Sequence, residues 1–175
     1  MGIRSRVRSS KNVKVNDMGL DRILHELDIA NRSYTKVGYP AEGEVKGATR
    51  KGSGRDEFED ISEVAEVAAI NEFGAPNANV PERSFVRTSF DEGQKEINRM
   101  KQRLYNQIID GKMTTKRALG LIGEKHVAQM KRKIRDIKNP PNAPSTKRRK
   151  KGVSNPLIDR AQMLNSVQHI EILDV

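Results

Sequence analysis

The chain has 175 residues, of which 35% are hydrophobic and 32% charged, with no Trp and only three Tyr. That length suits one domain, but the apolar material per residue is thin, so tails, or partners that complete the fold, are expected. The lack of cysteine excludes a disulfide framework, a thiolate zinc site and a catalytic thiol, while a net charge of +10 directs attention to polyanions and acidic partners.

The charge is segregated. Arg4, Arg6, Arg8, Lys11 and Lys14 make the first sixteen residues basic, and a second basic cluster ends in Lys147, Arg148, Arg149, Lys150 and Lys151. Between them, Asp56, Glu57, Glu59, Asp60, Glu63, Glu66 and Glu72 form an acidic block with no basic residue interleaved. A chain that carries both patches can attract copies of itself. No apolar segment follows the basic start, and no run approaches the roughly eighteen apolar residues of a membrane span, so neither secretion nor membrane spanning is expected.

In chain order, residues 1–11 read as a disordered or partner-ordered arm, and the alternation over 12–16 suggests a short strand. Asp17 is placed to cap a helix to about Ala30, with Leu20, Ile23, Leu24 and Leu27 on one face and Glu26 opposite. Residues 33–39 have strand composition, and 41–55 form a Gly-rich charged loop. Its Gly52-Ser53-Gly54 lacks the Gly-Lys-Ser/Thr ending of a phosphate loop. Ile61, Val64, Ala65, Ala68 and Ala69 follow helical spacing to a stop at Gly74, after which Pro76 and Pro81 force an extended or turn path that points Phe85 inward.

Thr88, Ser89 or Asp91 is expected to cap a helix to about Asp110 with Ile97, Met100, Leu104 and Ile108 on its stripe. Gly111 ends it, and Thr114 or Thr115 starts another to about Ile137, with Leu119, Ile122, Val127, Met130 and Ile134 inward. Gly120 and Gly123 inside that helix suggest either a close backbone approach or a weak spot in the helix. Prolines at 140, 141 and 144 end it, a helical turn opens at Ser145-Thr146, a short helix spans 160–166, and 167–173 alternates as a terminal strand. The pattern is α+β: a small antiparallel sheet packed on a long antiparallel helical hairpin. A basic arm covers 1–16, and a single domain covers 17–175 with a flexible loop at 41–55 and a basic loop at 139–156.

No constellation supports catalysis. His25, His126 and His169 are scattered, Ser and Thr lack a base, and the carboxylates form a charge block rather than a spaced pair. No enzyme activity, metal or cofactor is therefore expected. Phe73 and Phe85 read as core or interface anchors in preference to base-stacking platforms.

Two groups of residues carry a resemblance. The first is Val64 to Gly74, containing Asn71-Glu72-Phe73-Gly74, followed by Val80-Pro81-Glu82-Arg83-Ser84-Phe85-Val86-Arg87; the second is Asn142 to Thr146 with Lys151-Gly152 and Leu157-Ile158-Asp159. In order and spacing over 64–173 they resemble the virion morphogenesis proteins of tailed bacteriophages, of the tail-completion and head-tail joining (neck) class. That family has an Asn/His-Glu-Phe-Gly element before a Pro-x-Arg-Pro-Phe element, then a Pro-x-Thr, Lys-Gly, Leu-Ile-Asp-Thr-Gly run. Ser84 stands where the family has Pro, and Arg160-Ala161 where it has Thr-Gly.

The resemblance implies a structural virion protein, made in the host cytoplasm and carried in the neck or tail. It would form a homo-oligomeric ring, hexameric by the family, that joins the tail to the capsid connector. Its neighbours would be tail tube, tail terminator or connector proteins, with non-specific contact to passing DNA and none to membrane. Candidate interface residues are Glu63, Glu66, Asn71, Glu72, Phe73, Arg83, Phe85 and Arg87, with Lys147, Arg148, Arg149, Lys150 and Lys151 as the basic counterpart. The acidic block of one subunit facing basic segments of the next would give a head-to-tail interface that closes into a ring; the other reading is that both are solvated surface. The alternative is a stand-alone nucleic-acid-binding protein whose affinity falls steeply with salt.

Overall fold

The computed structural model describes residues 7–10, 13–16, 19–40, 61–150 and 154–174. Val7–Ser10 (β1) and Val13–Asn16 (β2) pair antiparallel, Val7 opposite Asn16 and Ser10 opposite Val13. An arm with a strand over 12–16 alone was expected. A lone strand leaves its backbone N–H and C=O groups unpaired, and here the neighbouring stretch supplies the partners. The rest of the arm and the 41–55 loop lie outside the described residues.

Leu20–Arg32 (α1) follows Gly19, whose φ of 87° turns the chain into the helix; the expected cap, Asp17, lies outside the described residues. The apolar stripe is not its anchor. Among Leu20, Ile23, Leu24 and Leu27 none is buried, and Leu20 and Leu24 are exposed. Ile29, off that stripe, is its buried apolar residue, and polar groups also hold α1: Arg22 donates to the Ile108 carbonyl at 3.2 Å, and Glu26 accepts from Thr115 N at 2.8 Å while its carbonyl accepts from Thr115 Oγ1 at 2.9 Å. Glu26, expected to face solvent, thus belongs to the packed side.

Tyr34–Gly38 (β3) pairs antiparallel with the terminal strand Gln168–Ile172 (β4), Tyr34 opposite Ile172 and Gly38 opposite Gln168. The two long helices, Val86–Ile109 (α3) and Thr115–Asp136 (α4), meet at Gly111, whose φ is 73°, and at Thr114, whose side chain caps α4 by accepting from Arg117 N. They pack along each other through Ile97, Leu104, Ile108, Ala118 and Ile122, with Glu92 to Lys133 and Glu96 to Lys125 ion pairs outside. The β3–β4 sheet lies against α4, and the two helical glycines let it approach. A Cβ at Gly120 would stand 2.8 Å from Glu171 Oε1, and one at Gly123 would meet the His169 ring.

Ile61–Phe73 (α2) covers the other end. Val64 and Ala68 pack there with Phe85, Met130, Ile134, Leu157, Met163 and Val167. Two short helices complete the chain, Pro144–Arg149 (α5) and Gln162–Asn165 (α6). Mixed helix with a small antiparallel sheet packed on helices is the architecture, as the alternation of periods suggested.

Candidate functional site

The residues on which the sequence concentrates attention, 71–87, fold into one polar latch. α2 stops at Phe73 because Gly74 takes a φ of 74°, and a Cβ there would lie 2.8 Å from Glu82 N, so the returning chain passes directly over it. Between them Ala75 and Val80 bridge around a 3-10 turn, Pro76–Ala78, and Asn79 closes that turn at a φ of 54°. Arg83 N then donates to the Asn71 carbonyl at 2.8 Å, which brings residues 84–87 beneath the end of α2.

Glu72 waits at that position, 3% exposed. Its Oε2 accepts from Phe85 N at 2.7 Å and Val86 N at 2.8 Å; its Oε1 accepts from Ser84 Oγ at 2.8 Å, Arg87 Nε at 2.9 Å and Arg87 N at 3.2 Å. These amides are the orphan donors that every helix start presents. α3 has no side-chain cap of its own. The local caps expected from Thr88, Ser89 or Asp91 are therefore replaced by a carboxylate from the preceding helix, and Ser89 is buried and donates to the Val86 carbonyl. A negative charge at the positive end of a helix dipole is favourable in itself. Burial pushes the Glu72 carboxyl up, but hydrogen bonds from Arg87, Val86 and Ser84 together outweigh it and hold the group below the usual carboxylate range.

Arg83, 5% exposed, reaches the opposite way. Its Nε donates to the Pro140 carbonyl at 2.8 Å and one terminal nitrogen to the Pro141 carbonyl and Asn142 Oδ1, each at 3.3 Å. Among the described residues no carboxylate pairs with it, and burial pushes its pKa down. Asn71 supports the same cluster by donating from Nδ2 to the Val67 carbonyl at 2.8 Å. Lys150 forms a second tie: Nζ donates to the carbonyls of Ile158, Pro156 and Asn155 at 2.9, 3.0 and 3.3 Å. Asn155 in turn donates to the last carbonyls of α4, Ile134 and Arg135, and accepts from Leu157 N and Ile158 N.

The expected interface residues divide accordingly. Glu72, Arg83 and Phe85 are buried within the chain, and Lys150 Nζ is bonded to carbonyls of its own chain. Glu66, Phe73 and Arg87 stay on the surface, as do Lys147, Arg148 and Arg149 on α5. Phe73 is 65% exposed, with the Arg87 guanidinium 5.0 Å from its ring centre and Arg87 also bonded to Glu82 at 2.6 Å. The side chain of Glu63, and Lys151, lie outside the described residues.

Sequence reasoning missed the reach of Arg83 to 140–142 and the Lys150 clamp. The only signal for either was polar residues set next to Pro-rich, helix-ending stretches. Among the described residues no three or more His, Cys, Asp or Glu gather as a metal site. His126 stacks on Phe90 and His169 sits 3.5 Å from Glu171. The latch fixes backbone geometry. No family model, curated protein or solved structure matches this chain, so its own residues carry the functional reading.

Proposed function

We propose that this chain is a structural virion protein of a tailed phage, forming a ring at the neck or head-proximal end of the tail. One observation carries the reading: the two runs of residues behind the family resemblance meet in space. Arg83, in the first run, grips the backbone of Pro140 and Pro141 and the Asn142 side chain at the start of the second. Both departures from the family pattern are also accommodated. Ser84, in place of proline, uses its hydroxyl to donate to Glu72. Ala161, in place of glycine, holds a φ of 60°, the left-handed backbone that glycine adopts without strain.

In this reading α3 and α4 are the antiparallel hairpin that gives each subunit a stiff wall, the latch sets the angle of α2 against it, and the exposed faces make the contacts. Native mass spectrometry of the purified chain tests the ring. A single closed oligomer, at a six-fold multiple of the 19.7 kDa subunit, is expected. A monomer or dimer at every concentration would overturn the reading.

A further inference from the structure

Apart from the latch, a groove of about 450 Å³ opens between β3 and the paired helices α3 and α4. Leu104, Ile122 and Met130 line it, and Tyr34, Phe90 and Tyr105, each about half exposed, stand at its edge. Phe90 is braced there by lying flat on His126, ring centres 5.4 Å apart at an interplanar angle of 9°. Lys101 also borders the groove, exposed, and makes no ion pair with a described residue. This is an apolar slot with aromatic edges and one available cation.

A matching ridge lies elsewhere on the same chain. The buried side of α2 carries Val64, Ala68 and Glu72; its outer side carries Glu66, Ala69, Ile70 and Phe73, all exposed. Phe73 is the most exposed of the large apolar side chains described, and Ile70 lies beside it one turn earlier. Glu66 is one turn before Ile70 and belongs to the acidic block. The ridge is therefore apolar at its C-terminal end, where Arg87 lies over one face of the Phe73 ring, and acidic toward its N-terminal end, the complement of a slot with aromatic edges and a lysine.

The two surfaces share no residue, so one ridge in one groove leaves a free groove and a free ridge for the next copies. Ridge into groove is a heterologous, head-to-tail contact, the kind that generates rings when the rotation closes. We infer that the outer face of α2 in one copy seats in the β3–α3–α4 groove of the next, Phe73 and Ile70 against Phe90 and Tyr105, with Glu66 opposite Lys101. The occupant is a second copy of this chain because both halves of the complementary pair, apolar and charged, are present on it, and each subunit of a closed ring then has both covered. The inference rests on the ring reading proposed above and names its contact. Aromatic anchors in a groove are where binding energy concentrates, and the flanking charge pair chiefly sets orientation and rate of encounter.

The chain has no native cysteine, so single-cysteine variants report the contact directly. Phe73→Cys and Tyr105→Cys chains, mixed in equal amounts in a glutathione redox buffer, are expected to form disulfide-linked pairs containing one of each, whereas each variant alone stays unlinked. In parallel, Glu66→Lys and Lys101→Glu alter exposed residues and are expected to leave the circular dichroism spectrum unchanged. Each is expected to weaken assembly about tenfold, and the double exchange to recover most of it. If wild type forms its oligomer but mixed disulfides do not exceed same-variant ones, or the double exchange assembles no better than the singles, the ridge-and-groove contact is wrong and the ring reading stands. A wild-type chain that stays monomeric in the same buffer overturns both.

Discussion

Replacing Glu72 with alanine is expected to destabilise the chain by about 3–5 kcal/mol, the cost of removing one partner from a buried, charge-assisted cluster. The loss is large because one carboxylate serves five donors, three of them the first amides of α3. Without it, the amides of Phe85 and Val86 keep their burial and lose their acceptor, and no residue of α3 is placed to substitute. The same group makes stability depend on pH. Its folded-state pKa is depressed below the ordinary 4.5, so its contribution is complete above about pH 4.5 and is lost as the pH falls through the lower folded value. Urea unfolding between pH 7 and pH 3 should show this component in wild type and not in Glu72→Gln. A change under about 1 kcal/mol at pH 7 for Glu72→Ala would mean that the latch does not hold α3.

Phe85→Ala is expected to cost about 3–5 kcal/mol, the range for emptying a fully packed aromatic site. Phe85 is 0% exposed and sits where α2, α4 and the 157–167 segment converge, against Val64, Ala68, Met130 and Ile134. Tyr39 packs edge-on against it, ring centres 6.5 Å apart. Because the latch runs through the Phe85 backbone and the core through its ring, collapse of the cavity is opposed by the hydrogen bonds to Glu72. Phe85→Leu, which keeps most of the volume, should cost less than half as much. Thermal and urea unfolding measure both; loss of assembly by Phe85→Ala with an unchanged unfolding midpoint would assign the residue to an interface instead of the core.

Local signals were readable where a single residue determines the backbone. Gly74 and Gly111 stop helices in the left-handed region, Thr114 caps α4, and Ile97, Leu104 and Ile108 recur at a helical period with their side chains inward. Phe85 was readable as buried from the alternation around it. Long-range polar partners were not readable. The Glu72 cap joins residues thirteen apart across a loop, and the Arg83 grip joins residues fifty-seven apart. Nothing in the local pattern of an Asn-Glu-Phe-Gly element distinguishes a carboxylate that caps the next helix from one that faces a neighbour, since both need an accessible donor and differ only in where the chain returns. The α1 stripe fails for a related reason: periodicity says which side is apolar, not that anything in the same chain covers it. For α2 the helical spacing was readable but its inner side was not, because apolar and small residues occupy both sides and only burial separates Val64 and Ala68 from Ala69 and Ile70.

Electron microscopy of phage particles assembled without this chain tests the structural role most directly. Filled heads and separate tails, lying side by side and joined again when the purified chain is added, are the predicted result. Intact, infectious, joined particles formed in its absence would contradict the account.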